Sequence, residues 1–206
     1  MQDIKPYNIR VGDRVSLTPE EMQEANELGL RRHNNNRAYG VRSDRVGRGS
    51  PATYTPDRKM QRDMQGVRGE FAFAKMFGLG DETWEMIKHI GLQSAQRGTD
   101  PADAIVYAEH NGVRRAVQVD VKTTSASPGN LLVTTEKMGN RDFCYALLIE
   151  ESEGTFRFAG MITTGRVARL FKEGRIKEES RATIWCPSHW LNNADDVINF
   201  AASLAD

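Results

Sequence analysis

The 206-residue sequence predicts an α/β fold: a mixed, largely antiparallel central sheet flanked by helices. Three observations carry that expectation. A helical apolar pattern covers residues 58–77, β-prone segments follow between residues 103 and 163, and helical patterns return in the C-terminal third. The length fits one compact domain, which at about 70% burial of its unfolded surface needs no disulfide or structural metal to fold.

Residues 1–17 read as an extended lead-in. Thr18-Pro19-Glu20-Glu21 marks a helix start, with Thr18 as N-cap, Pro19 at the first position and Glu21 closing a capping box. Met22, Ala25, Leu28 and Leu30 give this helix a modest apolar stripe. The stretch Arg31–Arg37 that follows has nothing apolar to hold it down. Gly40–Pro56, rich in Gly, Ser, Pro and Arg, reads as a loop. The expected organisation is therefore residues 1–57 as an N-terminal helix with a flexible basic arm, and residues 58–206 as the main domain.

A second helix is expected from Arg58 to Phe77. Strands should follow at Asp103–Ala108, Val113–Thr124, Leu131–Thr134, Phe143–Glu150 and Phe156–Thr163, then a short helix at Arg166–Lys172. A last helix starts at Asn193, with Val197, Ala201 and Leu204 on one face and Asp195 and Asp196 at the positive end of its dipole. Trp185, Trp190 and Phe200 are expected to pack that helix onto the sheet.

The 28 basic and 28 acidic residues exclude a histone-like polycation and an acidic mimic. The balance is uneven along the chain: residues 31–68 hold ten Arg or Lys against three acids. A chain polarised in this way can turn one face to a polyanion. Cys144 and Cys186 lack metal-ligand spacing and read as buried thiols in a reducing compartment. The longest wholly apolar run, Phe143–Ile149, has seven residues, against about 20 for a membrane span. No secretory signal pattern opens the chain, so a cytoplasmic protein is expected. His33, His89, His110 and His189 share no ligand spacing and are expected at the surface or its boundary.

The chemistry begins in the second helix. Val67, Phe71, Ala74 and Phe77 form one buried stripe, and Glu70 falls within it. A carboxylate aimed into a core costs on the order of several kcal/mol unless a cation or hydrogen bonds compensate it. A partner in Arg68 or Lys75 would make it a structural ion pair. Gly66 and Gly69 each cost about 1 kcal/mol against Ala in a helix, so their presence points to close backbone approach.

Asn111-Gly112 between two β-prone runs is a strong hairpin signal. With those two residues as the loop, His110 faces Val113, Tyr107 faces Ala116, Ile105 faces Gln118 and Asp103 faces Asp120. Lys122 shares the face of Asp120, while Ala104, Val106, Val117, Val119 and Val121 make the opposite, apolar face. Asp100 falls on the wrong face to pair with Asp120. Two opposed carboxylates repel, and a divalent metal between them relieves that repulsion. Oxygen ligands without His or Cys favour Mg²⁺ or Mn²⁺. A salt bridge from Lys122 to either aspartate is the structural alternative.

Gly66-Val67-Arg68-Gly69-Glu70 in a helix, Asp103 leading an apolar strand, and Asp120-Val121-Lys122 on the next strand together resemble the PD-(D/E)XK nuclease superfamily. Downstream, Leu131-Leu132-Val133, Lys137, Asp142-Phe143-Cys144-Tyr145 and Phe158-Ala159-Gly160-Met161-Ile162-Thr163 are similar to the strand series of phage-encoded members. The resemblance spans about residues 60–165. It implies a restriction-endonuclease-like core and Mg²⁺-dependent phosphodiester hydrolysis, with Mn²⁺ able to substitute. It implies Asp103, Asp120 and the Val121 carbonyl as metal ligands, Glu70 as a further ligand or water-positioning group, and Lys122 as the catalytic lysine. The first motif reads Pro101-Ala102-Asp103, one residue longer than the family's usual Pro-Asp step, so its alignment rests on the hairpin register.

Arg42, Arg45, Arg48, Arg58, Lys59, Arg62 and Arg68 supply phosphate-binding charge without base recognition. Arg58, Arg62 and Arg68 rank first because they precede or share the Glu70 helix. The expected partner is nucleic acid, DNA before RNA, with no membrane, and a homodimer would suit double-strand cleavage. An RNA-directed nuclease, or a non-catalytic nucleic-acid- or partner-binding module on the same fold, stays open.

Overall fold

The seven-residue apolar run at Phe143–Ile149 becomes the middle of the molecule. In the computed structural model, which describes residues 6–38, 56–80, 83–87, 102–134, 143–180 and 183–204, it lies in β5 (Phe143–Ser152). Phe143, Tyr145, Leu147 and Ile149 bury toward one side of the sheet, and Cys144, Ala146 and Leu148 toward the other. A strand covered on both faces must be apolar throughout.

The central sheet has the order β1-β6-β5-β3-β2, with β1 at Arg14–Ser16, β2 at Ala104–His110, β3 at Val113–Thr124 and β6 at Thr155–Thr163. Only the β3–β5 pair is parallel; the other three are antiparallel. The mixed, largely antiparallel α/β class is thus present. β4 (Asn130–Thr134), β7 (Lys177–Ser180) and β8 (Thr183–Pro187) form a second sheet, ordered β4-β8-β7. The helices are α1 (Pro19–Ala38), α2 (Pro56–Met76), α3 (residues 83–87), α4 (Thr164–Lys172) and α5 (Ala194–Ser203). One core joins α1, α2 and α5 to one face of the central sheet, and the other joins α4 and the small sheet to the opposite face.

The described part of the N-terminal region is packed against the rest of the fold. The capping box forms as expected, Glu21 N donating to Thr18 Oγ1 (3.2 Å) and Thr18 N to Glu21 Oε2 (2.6 Å). The helix then continues through Arg31–Arg37 to Ala38, because α2 supports it. Gly29 permits that contact: a Cβ there would stand 2.6 Å from the Met64 Cα. Ala25 and Leu28 join the main core and β1 pairs with β6, so the boundary expected at residue 57 divides two packed helices. His33, expected near the surface, is buried, its Nδ1 2.7 Å from Asp63 Oδ2.

Two further expectations change. α5 packs through Ala194, Val197, Ile198, Ala201 and Ala202, while Phe200 and Trp185 are exposed. Trp190 instead carries the Arg175 guanidinium over its ring at 4.1 Å. Strands β7 and β8 were not anticipated, since Lys177–Ser180 carries no apolar alternation. The segment from Gly40 to Thr55, with Arg42, Arg45 and Arg48, lies outside the described residues, as do His89, Asp100, Pro101, Lys137 and Asp142. Among the described residues, no helix is long and apolar enough to cross a membrane.

Candidate active site

Asn111 (φ 52°) and Gly112 (φ 75°) both adopt the left-handed conformation that a two-residue hairpin demands. The β2–β3 ladder consequently runs from His110↔Val113 to Ala104↔Val119, the register expected from sequence. Ala104, Val106, Val117, Val119 and Val121 are all buried on its core face. Asp103 lies one residue beyond the ladder. Its amide donates to Val119 O (2.9 Å), and its Oδ2 accepts from Val121 N (2.7 Å), replacing the strand partner that β2 no longer supplies. Asp120 is 2% exposed, and Lys122 Nζ makes a direct ion pair with its Oδ1. Across the parallel pair, Asp120 stands beside the buried Tyr145.

Glu70 arrives from α2, buried within the stripe that carries Val67, Phe71, Ala74 and Phe77. Of the two glycines, Gly69 is the close approach: a Cβ there would collide with the Thr123 hydroxyl of β3. Gly66 faces open space. The partner of Glu70 is neither Arg68 nor Lys75 but Arg32 of α1, whose Nη1 donates to both carboxylate oxygens at 2.7 and 2.8 Å. The Arg32 Nη2 donates to the Ile87 carbonyl of α3. Sequence reasoning missed Arg32. The signal was the three- and four-residue spacing Ala25, Leu28, Arg32, which keeps the arginine on the buried face once the helix continues.

These groups act on one another. The Asp103 carboxyl is held well above the ordinary aspartate range, first by burial, then by the neighbouring charges of Glu70 and Asp120. Lys122 and the Val121 amide pull it the other way. Three carboxylates thus converge on two cations, Lys122 and Arg32, in a largely dry setting.

Among the described residues, no three acidic, histidine or cysteine side chains are arranged to hold a metal ion as they stand. Both oxygens of Glu70 are engaged by Arg32, and Oδ1 of Asp120 by Lys122. Asp103 and Asp120 are hard oxygen donors, the ligand class that suits Mg²⁺ or Mn²⁺.

The expected phosphate contacts divide. Arg58 and Arg62 are exposed on α2. Arg68 is not available to phosphate: its Nε and Nη2 fork onto Glu150 at 2.9 and 3.0 Å, and Nη1 donates to Asn26 (3.0 Å). Its position one residue before Gly69, the tightest helix–sheet contact, turns it inward, where β5 supplies the matching acid. Elsewhere, a cavity of about 550 Å³ between α4 and α5 is lined by Arg166, Arg169, Val197 and Phe200, among others, and by none of Glu70, Asp103, Asp120 or Lys122.

No curated protein and no solved structure matches the chain. One family model does, over residues 7–157, a span that takes in α1, α2, the hairpin and every residue of the acidic cluster. The chain therefore belongs to the family of unknown function DUF5843.

Proposed function

We propose that this chain is a metal-dependent nuclease hydrolysing phosphodiester bonds of nucleic acid, with DNA as the expected substrate. The observation that carries the reading is Asp103, a half-buried residue whose carboxyl is opposed by Glu70 and Asp120 and eased by Lys122. Crowding three acids around Lys122 and Arg32 is costly for a structural element, and such perturbed groups mark sites of chemistry. Asp103 and Asp120, with the Val121 carbonyl, are the groups that would hold Mg²⁺ or Mn²⁺. The ion supplies a polarised phosphoryl oxygen and a bound water whose pKa falls toward neutrality.

The protein's own part follows from placement. Lys122 stands beside Asp120 with its side chain 37% exposed, so its cation borders both the acids and solvent. It orients the attacking water and offsets charge gathering on the phosphoryl oxygens. The attacking water gives up a proton to solvent as its oxygen bonds to phosphorus, the ester P–O bond breaks, and the departing alkoxide takes a proton from solvent. Arg58 and Arg62 offer phosphate contacts that fix position without reading sequence. The two buried cysteines suit a reducing cytoplasm.

A non-catalytic nucleic-acid-binding module on the same fold is the second reading. The pairs Arg32–Glu70 and Lys122–Asp120 favour it, since they neutralise two of the three acids internally. The test is cleavage of labelled plasmid, linear duplex, single-stranded DNA and RNA with Mg²⁺, Mn²⁺ or EDTA, wild type beside Lys122→Ala. Metal-dependent cutting lost in a folded Lys122→Ala protein upholds the nuclease. Equal cutting by both proteins overturns the role of Lys122. Salt-sensitive binding with no cutting selects the second reading.

A further inference from the structure

We propose that the cavity between α4 and α5 is a nucleotide site: it takes a nucleoside monophosphate unit, with the phosphate at Arg166 and Arg169 and the base against Phe200. The inference goes beyond the hydrolytic reading above and needs no metal.

The lining carries it. Arg166 and Arg169 lie three residues apart on one face of α4, and Val197 and Phe200 three apart on one face of α5. The buried Ile162 of β6 lines the cavity as well. Its volume of about 550 Å³ falls within the roughly 300–1,000 Å³ typical of small-molecule sites.

The Arg166 cation has no counter-ion in the fold. Among the described residues it makes no ion pair, and its Nε is buried without a hydrogen-bond partner. Cys186 does not supply the missing charge: burial pushes its thiol up to about 11 against the pull of the Arg166 cation, so it stays neutral near neutrality. Arg169 has Glu173 at 3.8 Å, but those side chains are 65% and 47% exposed, and solvent screens the contact. A cation kept partly out of water without an acid is costly, and an anion in the cavity relieves that cost.

The remaining lining narrows the anion. The exposed Phe200 offers a flat apolar face, and Asn192 and Asp196 add acceptor oxygens to the same cavity. An aliphatic body would strand those oxygens. A nucleobase has a face to stack and N–H edges to donate. Inorganic phosphate alone would leave Phe200 unused.

The experiment is calorimetry of the full chain in EDTA with dAMP, deoxyadenosine and inorganic phosphate, for wild type, R166M, R169A and F200A. Wild type should bind dAMP more tightly than either part. F200A should weaken dAMP about tenfold, the size of one lost base–aromatic stack. R166M should weaken dAMP and leave deoxyadenosine unchanged. Should R166M fail to fold, R169A, altered at an exposed side chain, should show the same split. Deoxyadenosine or phosphate binding as tightly as dAMP, dAMP affinity unmoved by F200A and R169A, or no dAMP binding at all overturns the inference. A short 5′-phosphorylated oligodeoxynucleotide then identifies the source of the unit. Weakening of the oligonucleotide by F200A in the same proportion upholds the site as one for a strand end. No response to F200A upholds it as one for the free nucleotide. Because EDTA is present throughout, failure of metal-dependent cleavage and failure of dAMP binding are separate results.

Discussion

Gly69 of α2 and Thr123 of β3 meet with no room for a side chain between them. The contact lies one residue before Glu70 and one after Lys122, so it sets the height of the helix over the sheet beside both. Gly69→Ala forces the two elements apart or strains Thr123, and overpacking of this kind costs about 1–3 kcal/mol. Gly66→Ala meets nothing within 4 Å and should stabilise α2 by about 0.5–1 kcal/mol through helix propensity. Urea unfolding of the two variants should show opposite signs. A Gly69→Ala protein as stable as wild type would mean that the helix is not seated on Thr123.

Arg68 and Glu150 make the second buried pair, and Glu150 also accepts from Gln65 Nε2 (2.8 Å) and Gly154 N (3.2 Å). Arg68→Met strands that carboxylate among polar donors without its cation, a loss of about 3–5 kcal/mol. Because Arg68 faces inward, the folded variant at low temperature should bind duplex DNA as wild type does. Weakened DNA affinity with unchanged stability would return Arg68 to the phosphate interface.

Arg58 and Arg62 should behave in the reverse manner. Both are exposed on α2, so replacing both with Ala should leave the melting temperature nearly unchanged. It should lower duplex affinity uniformly across sequences and reduce the salt slope by about one per arginine. An unaltered slope in a filter-binding titration would place the phosphate track on another face.

The difference between these arginines shows where sequence runs out. The hairpin and its register were legible because Asn111-Gly112 and the apolar alternation act within a few residues of each other. Glu70 was legible as an anomaly, a charge inside an apolar stripe. Its partner was not, because Arg32 lies 38 residues away and Glu150 lies 82 residues from Arg68. Such pairings depend on how α1 and α2 cross, which Gly29 helps to decide. The small sheet was missed for a related reason: β7 is polar and short, and the pairing with β8 supplies most of what defines it as a strand.

The Asp103 carboxyl makes the apo protein's stability fall as pH rises. In the unfolded chain it ionises in the ordinary aspartate range; in the folded protein burial, Glu70 and Asp120 hold its proton to higher pH. Between those two values the folded state carries more protons than the unfolded state, so each step upward in pH costs stability. The contribution is intact below the unfolded value, and the loss levels off once pH passes the folded one. Asp103→Asn removes the titration while leaving an oxygen to accept from the Val121 amide, so it isolates the charge. In EDTA, thermal melts taken upward from pH 4 should show wild type losing ground against Asp103→Asn until the folded-state value is passed. The variant should melt higher than wild type at pH 8. Adding Mn²⁺ there should raise the wild-type melting temperature and leave the variant's nearly unmoved, since only the carboxylate rewards the ion. Parallel pH curves for the two proteins would show that Asp103 bears no unfavourable charge in the fold, and the electrostatic case for a cation beside it would fall with them.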